Sequence, residues 1–346
     1  MMLALLSMAC ADKNPVVSRQ PDSLSLPLHG ILFTHLDLVD LSSGIDWIAP
    51  DGSDRRSVVK GPWQITSAPR ALKIPIRKAG YEFGDPSESD SLFVLGMADG
   101  TRTFIASYPS SFGNGLILSP DGSYVIYHSA GDPQTRASTL RIARADGTDS
   151  RILVHDGLRD SPSFSPDGRR IAYARFDGIT TRLRVIDLES GADVAIADTL
   201  STFGFTGVSW SANGDHIAFS RKTADDSITL WSIGITGIGL RRLTPEGQQD
   251  ILPRWSPAGS LLVCTGRESP TGQRLIVMNG DGTERRILTG TQETILTDPQ
   301  WSPDGGRIIY RSGNSLRTLK VVDIESGAVK VLAVDLYGRA FWDLGP

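Results

Sequence analysis

A short turn motif recurs five times in this chain at a nearly constant spacing. Its most complete copy runs from Trp301 through Ser-Pro-Asp to Gly305, and an aliphatic run that ends in Tyr310 follows it. The turn glycines of successive copies stand 45 or 46 residues apart, at Gly122, Gly168, Gly214, Gly259 and Gly305. A fixed period of this length indicates a repeat architecture, and this decides the fold before any local prediction is made.

A second turn marker, Asp-Gly or a Ser-Gly or Thr-Gly equivalent, recurs at spacings of 44 to 48 residues. Its seven glycines are Gly52, Gly100, Gly147, Gly191, Gly237, Gly282 and Gly327. Asp-Gly tolerates the positive φ of tight hairpins, while Ser-Pro-Asp-Gly combines a preset proline φ with local bonding by Asp. Each repeat therefore contains four short strands, A to D, with the first marker between A and B and the second between C and D.

A repeat of four antiparallel strands and about 45 residues is a propeller blade. Seven second markers predict an all-β fold, a seven-bladed β-propeller of four-stranded antiparallel blades over residues 24–346; six blades is the alternative. The first two blades are degenerate, and the second is expected to start near Pro69.

The first blade shows a strand B at residues 28–34 but no strand A before it. Near the C-terminus, the segment Arg339-Ala-Phe-Trp342 resembles the strand A that contains Trp301. We therefore expect residues 340–346 to supply strand A of the first blade and to close the ring, because an open seam would expose sheet edges.

The N-terminus predicts export. Residues 1–10 form a short apolar run that ends in Ala9-Cys10, and residues 11–23 are a polar, proline-containing tether. The run is too short to span a bilayer as a helix. It resembles a bacterial lipoprotein signal, in which Cys10 would carry the lipid after cleavage. No Lys or Arg precedes the apolar run, so an unlipidated secretory signal or a ragged apolar N-terminus is the alternative.

The repeats resemble the WD40-like propeller repeats, bearing Ser-Pro-Asp-Gly, of TolB and its relatives. That resemblance is strong from about residue 117 onward and implies a propeller of the bacterial cell envelope. Similar repeats form the propeller of prolyl-oligopeptidase-type peptidases, whose hydrolase domain carries a Gly-x-Ser-x-Gly motif that this sequence lacks. The motif is specific for the fold and says little about function, because one fold hosts many functions.

Composition and isolated residues argue against several kinds of site. A net charge of −4, from 35 basic and 39 acidic residues that are well mixed, gives no electrostatic basis for nucleic-acid binding. The five histidines are scattered without metal-ligand spacing, and no phosphate-binding glycine loop occurs, so we predict no metal and no cofactor. Cys264 replaces the aromatic residue of other repeats and reads as a small buried hydrophobe.

The repeated carboxylates of Asp121, Asp167 and Asp304 occupy equivalent turns, where Asn213 and Ala258 replace them in the other two copies. Local turn bonding explains such a set better than calcium binding or catalysis.

Recognition is expected on the opposite face of the propeller. The A–B and C–D turns share one face, whereas the variable B–C and D–A loops share the other, and variable loops on a rigid scaffold usually carry recognition. We name the first the turn face and the second the loop face. Six polar residues near the D–A loops are candidate binding residues at the channel mouth: Asp160, Asp250, Arg254, Asp298, Gln300 and Arg339. The alternative is that they solvate a water-filled channel or cap strand A.

Together these observations predict a monomeric, non-enzymatic module that binds a protein or peptide of the cell envelope on its loop face. It would sit in the periplasm or at the outer membrane, held to the membrane only by the lipid on Cys10. A propeller-type glycan lyase or hydrolase with its site at the channel mouth is the alternative. A scaffold within a larger assembly is a third possibility.

Overall fold

The computed structural model describes most of the chain from Gly30 to Trp342. The described ranges are 30–36, 43–78, 89–109, 115–130, 138–155, 162–177, 179–199, 207–223, 227–269, 272–290, 293–295, 299–313, 317–334 and 336–342. Cys10, the predicted signal segment and the predicted tether therefore lie outside the described residues.

The described residues form 28 strands in seven four-stranded sheets, and every strand pairing is antiparallel. The sequence prediction of seven four-stranded blades is thus confirmed, and the six-bladed alternative is wrong. Blade 1 contains β28 (Leu336–Trp342), β1 (Ile31–Leu36), β2 (Ser43–Ile48) and β3 (Arg56–Lys60). Blade 2 contains β4 (Trp63–Ile65), β5 (Lys73–Lys78), β6 (Ser89–Gly96) and β7 (Arg102–Pro109).

The remaining blades follow in chain order, each running from strand A to strand D. Blade 3 contains β8 (Ile117–Leu118), β9 (Tyr124–Ala130), β10 (Ser138–Arg144) and β11 (Arg151–Val154). Blade 4 contains β12 (Ser163–Phe164), β13 (Arg170–Phe176), β14 (Thr181–Asp187) and β15 (Asp193–Thr199). Blade 5 contains β16 (Val208–Trp210), β17 (His216–Lys222), β18 (Ile228–Gly234) and β19 (Arg241–Arg242). Blade 6 contains β20 (Asp250–Trp255), β21 (Leu261–Ser269), β22 (Gly272–Asn279) and β23 (Arg286–Ile287). Blade 7 contains β24 (Gln300–Trp301), β25 (Arg307–Ser312), β26 (Thr318–Asp323) and β27 (Val329–Ala333).

The last strand closes the ring as the sequence predicted. β28 pairs with β1, so that Trp342 lies opposite Ile31 and Phe341 opposite Leu32. The strand begins at Leu336, four residues before the predicted segment, and residues 343–346 lie outside the described part of the chain. The two ends of the propeller are therefore joined within one sheet.

One boundary prediction is wrong. Blade 2 begins with β4 at Trp63, and the residues after Pro69 form its A–B turn. Ala71 and Leu72 adopt left-handed φ values of 46° and 58° there. This turn lacks Ser-Pro-Asp-Gly, so a run that reads like a strand in the sequence is in fact the connection between two strands.

The hydrophobic core lies between blades. Seven clusters of buried side chains occur, and each combines residues from two neighbouring blades. The seventh seam joins Ile309 and Leu319 of blade 7 to Phe33 and Trp342 of blade 1. Burying both faces of every sheet in this way removes apolar surface from water all around the ring.

Indole groups link the innermost strands. Trp210 donates from Nε1 to the carbonyl of Ser163 at 3.1 Å, and Trp301 donates to the carbonyl of Arg254 at 2.9 Å. Trp342 donates to Gln300 at 3.1 Å, which extends the same contact across the ring closure. These tryptophans combine large apolar burial with one directed hydrogen bond between blades.

The repeated carboxylates serve their own turns. Asp167 accepts from the Ser165 hydroxyl at 2.5 Å and from the Arg169 backbone N–H at 3.0 Å. The Ser165 oxygen in turn accepts from the Arg170 backbone N–H at 2.9 Å. Asp121 and Asp304 repeat these bonds. Local turn bonding, as predicted, accounts for this acidic set.

Ring closure by β28 makes a prediction about stability. Trp342 is 3% exposed, so Trp342→Ala should lower the free energy of unfolding by about 3–5 kcal/mol, the usual cost of deleting a buried tryptophan. Urea unfolding followed by circular dichroism measures the change. Val334→Ala, which shortens a 55% exposed side chain nearby, is the control and should change stability by no more than about 0.5 kcal/mol. Equal, small effects from both variants would contradict closure through this strand.

Candidate functional site

Four of the six predicted channel-mouth residues lie on described parts of three consecutive inner strands. Asp250 and Arg254 belong to β20, Gln300 to β24 and Arg339 to β28. These strands are the A strands of blades 6, 7 and 1, which are neighbours around the ring. Asp160 and Asp298 lie outside the described residues, and their place at the mouth stays a prediction.

Two arginines connect neighbouring inner strands. Arg254 directs Nη1 toward the carbonyls of Val208, at 3.5 Å, and Pro253, at 3.3 Å. Arg339 is exposed and directs Nη1 toward the carbonyl of Thr66 in blade 2 at 3.5 Å. Both arginines lie at irregularities in strand register, where the regular pairing of the blade is interrupted. The structure thus places cationic groups on the inner strands of blades 6 and 1.

Asp250 has a different setting, because its side chain is completely buried. Its Oδ1 lies 3.6 Å from Nη2 of Arg285, which also reaches the side-chain oxygen of Gln248 at 3.5 Å. Burial, with a further contribution from Asp250, raises the pKa of the neighbouring Cys264 thiol well above its usual range. This cluster ties the connection between blades 5 and 6 to the body of blade 6. Cys264 is itself fully buried, as a small core residue should be.

Some polar groups near the loop face were not identified from the sequence. Arg77 on β5 lies 3.3 Å from the buried carboxylate of Asp90 and also donates to Gln64 on the inner strand β4. Glu293, which follows blade 6, pairs with Lys320 at 2.8 Å. The sequence did offer one signal for such groups, a charged residue near the end of an otherwise apolar strand. In blade 2 this signal could not be used, because the blade lacks the Ser-Pro-Asp-Gly motif that would have fixed the positions of its strands.

The described histidines do not converge. His35 lies on β1 and His216 on β17, while His128 and His155 lie on or beside different strands of blade 3; His29 is outside the described part of the chain. Within the described ranges, no group of three or more His, Cys, Asp or Glu side chains is arranged to hold a metal ion.

A cavity opens on the turn face, where the sequence indicated only stereotyped turns. It measures about 800 Å³ and lies between the turns of blades 5 and 6. Its walls include Trp255, His216, Arg241 and Asp281. Trp255 occupies the same position in the repeat as Trp210 and Trp301, so the sequence offered no reason to expect a cavity beside it.

The described strands form seven four-stranded blades in a closed ring, and this protein is therefore a β-propeller. The sequence model of the TolB beta propeller domain family matches residues 119–338. That span is more than half of the chain, and the protein therefore belongs to the TolB beta propeller domain family.

Curated relatives match part of the chain. An uncharacterized protein of Agrobacterium fabrum is 24% identical over 203 residues, which cover 56% of this chain and 67% of that protein. The Tol-Pal system protein TolB of Francisella tularensis subsp. mediasiatica is 28% identical over 199 residues, 57% of this chain and 45% of the relative. The matched part therefore spans less than half the length of that TolB.

Solved structures of similar shape include proteins that are named for different functions. TolB from Acinetobacter baumannii has a TM-score of 0.58 and 13% identity, and the match covers 88% of this chain and 79% of TolB. A puromycin-hydrolyzing peptidase from Mycobacterium tuberculosis has a TM-score of 0.57 at 17% identity, covering 88% and 54%. An oligogalacturonate lyase from Vibrio parahaemolyticus has a TM-score of 0.59 at 11% identity, covering 89% and 86%. These likenesses show the fold alone.

Among the described residues, no helix has the length and apolar character needed to cross a membrane.

Buried His128 makes a prediction about pH. Burial lowers the pKa of His128 from 6.5 to about 4. In the unfolded chain, His128 becomes protonated below about pH 6.5, whereas in the folded protein it becomes protonated only near pH 4. The free energy of unfolding therefore falls as the pH drops from 6.5 to about 4. The loss should reach about 3 kcal/mol near pH 4. Unfolding titrations at several pH values should show that His128→Leu removes this component, whereas the exposed control His155→Gln retains it. An identical pH profile for His128→Leu and wild type would contradict the assignment.

Proposed function

We propose that this protein is an extracytoplasmic, non-enzymatic propeller that binds an envelope protein or peptide on its loop face and is anchored through a lipid on Cys10. The observation that carries the proposal is membership of the TolB beta propeller domain family, together with a relative whose name places it in the Tol-Pal system. That relationship and the export-like N-terminus both support an envelope location.

The scaffold suits binding at the loop face. Every blade has four strands. Four of the A–B turns are also stabilised internally, because the side chain of the third motif residue accepts a hydrogen bond from the serine hydroxyl of the same turn; these residues are Asp121, Asp167, Asn213 and Asp304. Near the loop face, the register of the inner strands β20 and β28 is interrupted. A rigid ring that presents irregular segments is a common way to hold a recognition surface in place.

The charges at the inner strands favour a partner that carries acceptor groups. Arg339 is exposed and makes one long contact with the described residues, and its guanidinium carries five N–H donors. Guanidinium groups bind carboxylates with two parallel hydrogen bonds, which confers geometric specificity. A peptide segment or C-terminus with acidic side chains matches this arrangement, and Gln300 on the intervening strand offers an additional amide.

The anchoring part of the proposal has a direct test. Mass spectrometry of the mature protein, expressed with its full N-terminus in a Gram-negative host, should find Cys10 as the first residue with a diacylglyceryl mass. Cys10→Ala should remove the modification and release the protein from the membrane fraction. A retained Met1 in a soluble cytoplasmic fraction would overturn both export and lipidation.

The binding part is tested with matched arginine variants. Arg339→Glu reverses a charge on the inner strand, while Arg169→Glu reverses an exposed charge in an A–B turn on the other face. In pull-downs from envelope extracts with quantitative mass spectrometry, Arg339→Glu should reduce the recovered partner at least about tenfold, equivalent to roughly 1.4 kcal/mol. Arg169→Glu should match wild type. Equal recovery with both variants, or no enriched partner with any of them, would contradict binding at the loop face.

A further inference from the structure

The cavity on the turn face between blades 5 and 6 lies beside a departure from the repeat. In six blades, the residue after strand C donates its backbone N–H to the carbonyl just before strand B. The donors are Met97, Ala145, Leu188, Ile235, Gly280 and Ile324. In five blades this residue carries a side chain that packs against the preceding blade. In blade 6 it is a glycine, so the seam with blade 5 lacks that filling group.

Trp255 takes the place of the missing side chain. A Cβ built on Gly280 would lie 2.2 Å from the Cζ3 and Cη2 atoms of Trp255, so the edge of the indole occupies this space. The ring also packs against the apolar cluster between blades 5 and 6 and lines the cavity. A glycine at position 280 is therefore what allows the ring to lie where it does.

The position of the ring separates Trp255 from its counterparts. Trp210, Trp301 and Trp342 each donate their indole N–H to the preceding inner strand. The equivalent acceptor for Trp255 is the carbonyl of Ser209, but Trp255 Nε1 has no hydrogen-bond partner among the described residues. The Ser209 hydroxyl instead accepts from the Trp255 backbone N–H at 3.0 Å. Trp255 is thus an aromatic wall of a cavity, whereas its counterparts link the blades.

The groups around this wall are polar and nearly balanced in charge. His216 and Asn213 approach from blade 5 beside Arg241, and Asp281 approaches from blade 6. The pKa of Asp281 is lowered, first by hydrogen bonds from Thr283 and also by the charge of Arg241. These lining groups therefore have no excess of negative charge, which a cation site requires. They also have no excess of positive charge, which an anion site requires.

An aromatic ring flanked by amide, imidazole, guanidinium and carboxylate groups matches the two surfaces of a sugar. One face of a pyranose ring presents C–H groups that pack on an aromatic ring, while its hydroxyls both donate and accept at the rim. A cavity of about 800 Å³ lies in the size range of small-ligand sites. We propose that the cavity at the seam of blades 5 and 6 binds a neutral oligosaccharide, with Trp255 as the stacking platform and Arg241 and Asp281 as hydrogen-bonding groups.

The site lies on the face opposite the proposed protein-binding surface, so the two proposals are tested separately. Isothermal titration calorimetry of the intact protein would use cellobiose, maltose and N,N′-diacetylchitobiose as probes. Tetramethylammonium and N-acetylphenylalanine amide would serve as cationic and aromatic competitors for the same wall. We expect saturable binding of at least one sugar. We expect no binding of tetramethylammonium or of N-acetylphenylalanine amide.

Variants of the platform and the rim complete the test. Trp255→Ala should weaken sugar binding at least about tenfold, and Trp255→Phe, which keeps an aromatic ring and the packing, should weaken it less. Gly280→Ala should also weaken binding, because the added Cβ would displace the ring. Arg241→Ala leaves the core unchanged, so it reports on the site even if Trp255→Ala unfolds. Its matched control is Arg151→Ala, since both arginines are exposed first residues of a strand D.

The proposal is overturned if no sugar binds, if only the cation or the aromatic amide binds, or if Arg241→Ala and Arg151→Ala bind the sugar equally well. Arg339→Glu should retain sugar binding whatever its effect on the protein partner.

Discussion

The pairing of β28 with β1 is the interaction on which the rest of the structure depends. Without it, blade 1 would lack an inner strand and the apolar seam between blades 7 and 1 would open to water. Each blade is supported on both faces by its neighbours, so one open seam would leave two blades half supported. Because the paired strands are the first and last of the described chain, every other blade is held between them.

Given a closed ring, the recurring residues account for stability and the exceptions indicate function. Trp210, Trp301 and Trp342 each bury a large ring and donate one hydrogen bond to the preceding blade. Trp255 stands at the same place in the repeat but lines a cavity, because Gly280 leaves space for its ring. A position that repeats is explained by the fold, whereas a position that departs from the repeat requires another explanation.

The blade count and the closure could be predicted from the sequence because turn chemistry is local. Proline, aspartate and glycine impose the same backbone wherever they occur together, and Trp342 resembles Trp301 closely enough to identify the last strand. The start of blade 2 could not be predicted, because its A–B turn keeps only the proline of the motif, Pro69, and has Arg70 and Ala71 in place of the aspartate and glycine. Nor could the complete burial of Asp250, which depends on Arg285 from the far side of the blade. The cavity was missed because it depends on contacts between residues 25 positions apart, Trp255 and Gly280.

Amide hydrogen exchange tests the central claim, that one continuous ring is closed by its last strand. If β28 completes blade 1, the amides of Ile31–Leu36 and Leu336–Trp342 should be protected to the same degree as those in β16 and β17 of blade 5, and all should exchange together as denaturant is added. Exchange of Leu336–Trp342 at the rate of an unstructured peptide, with blades 2 to 7 still protected, would contradict the account.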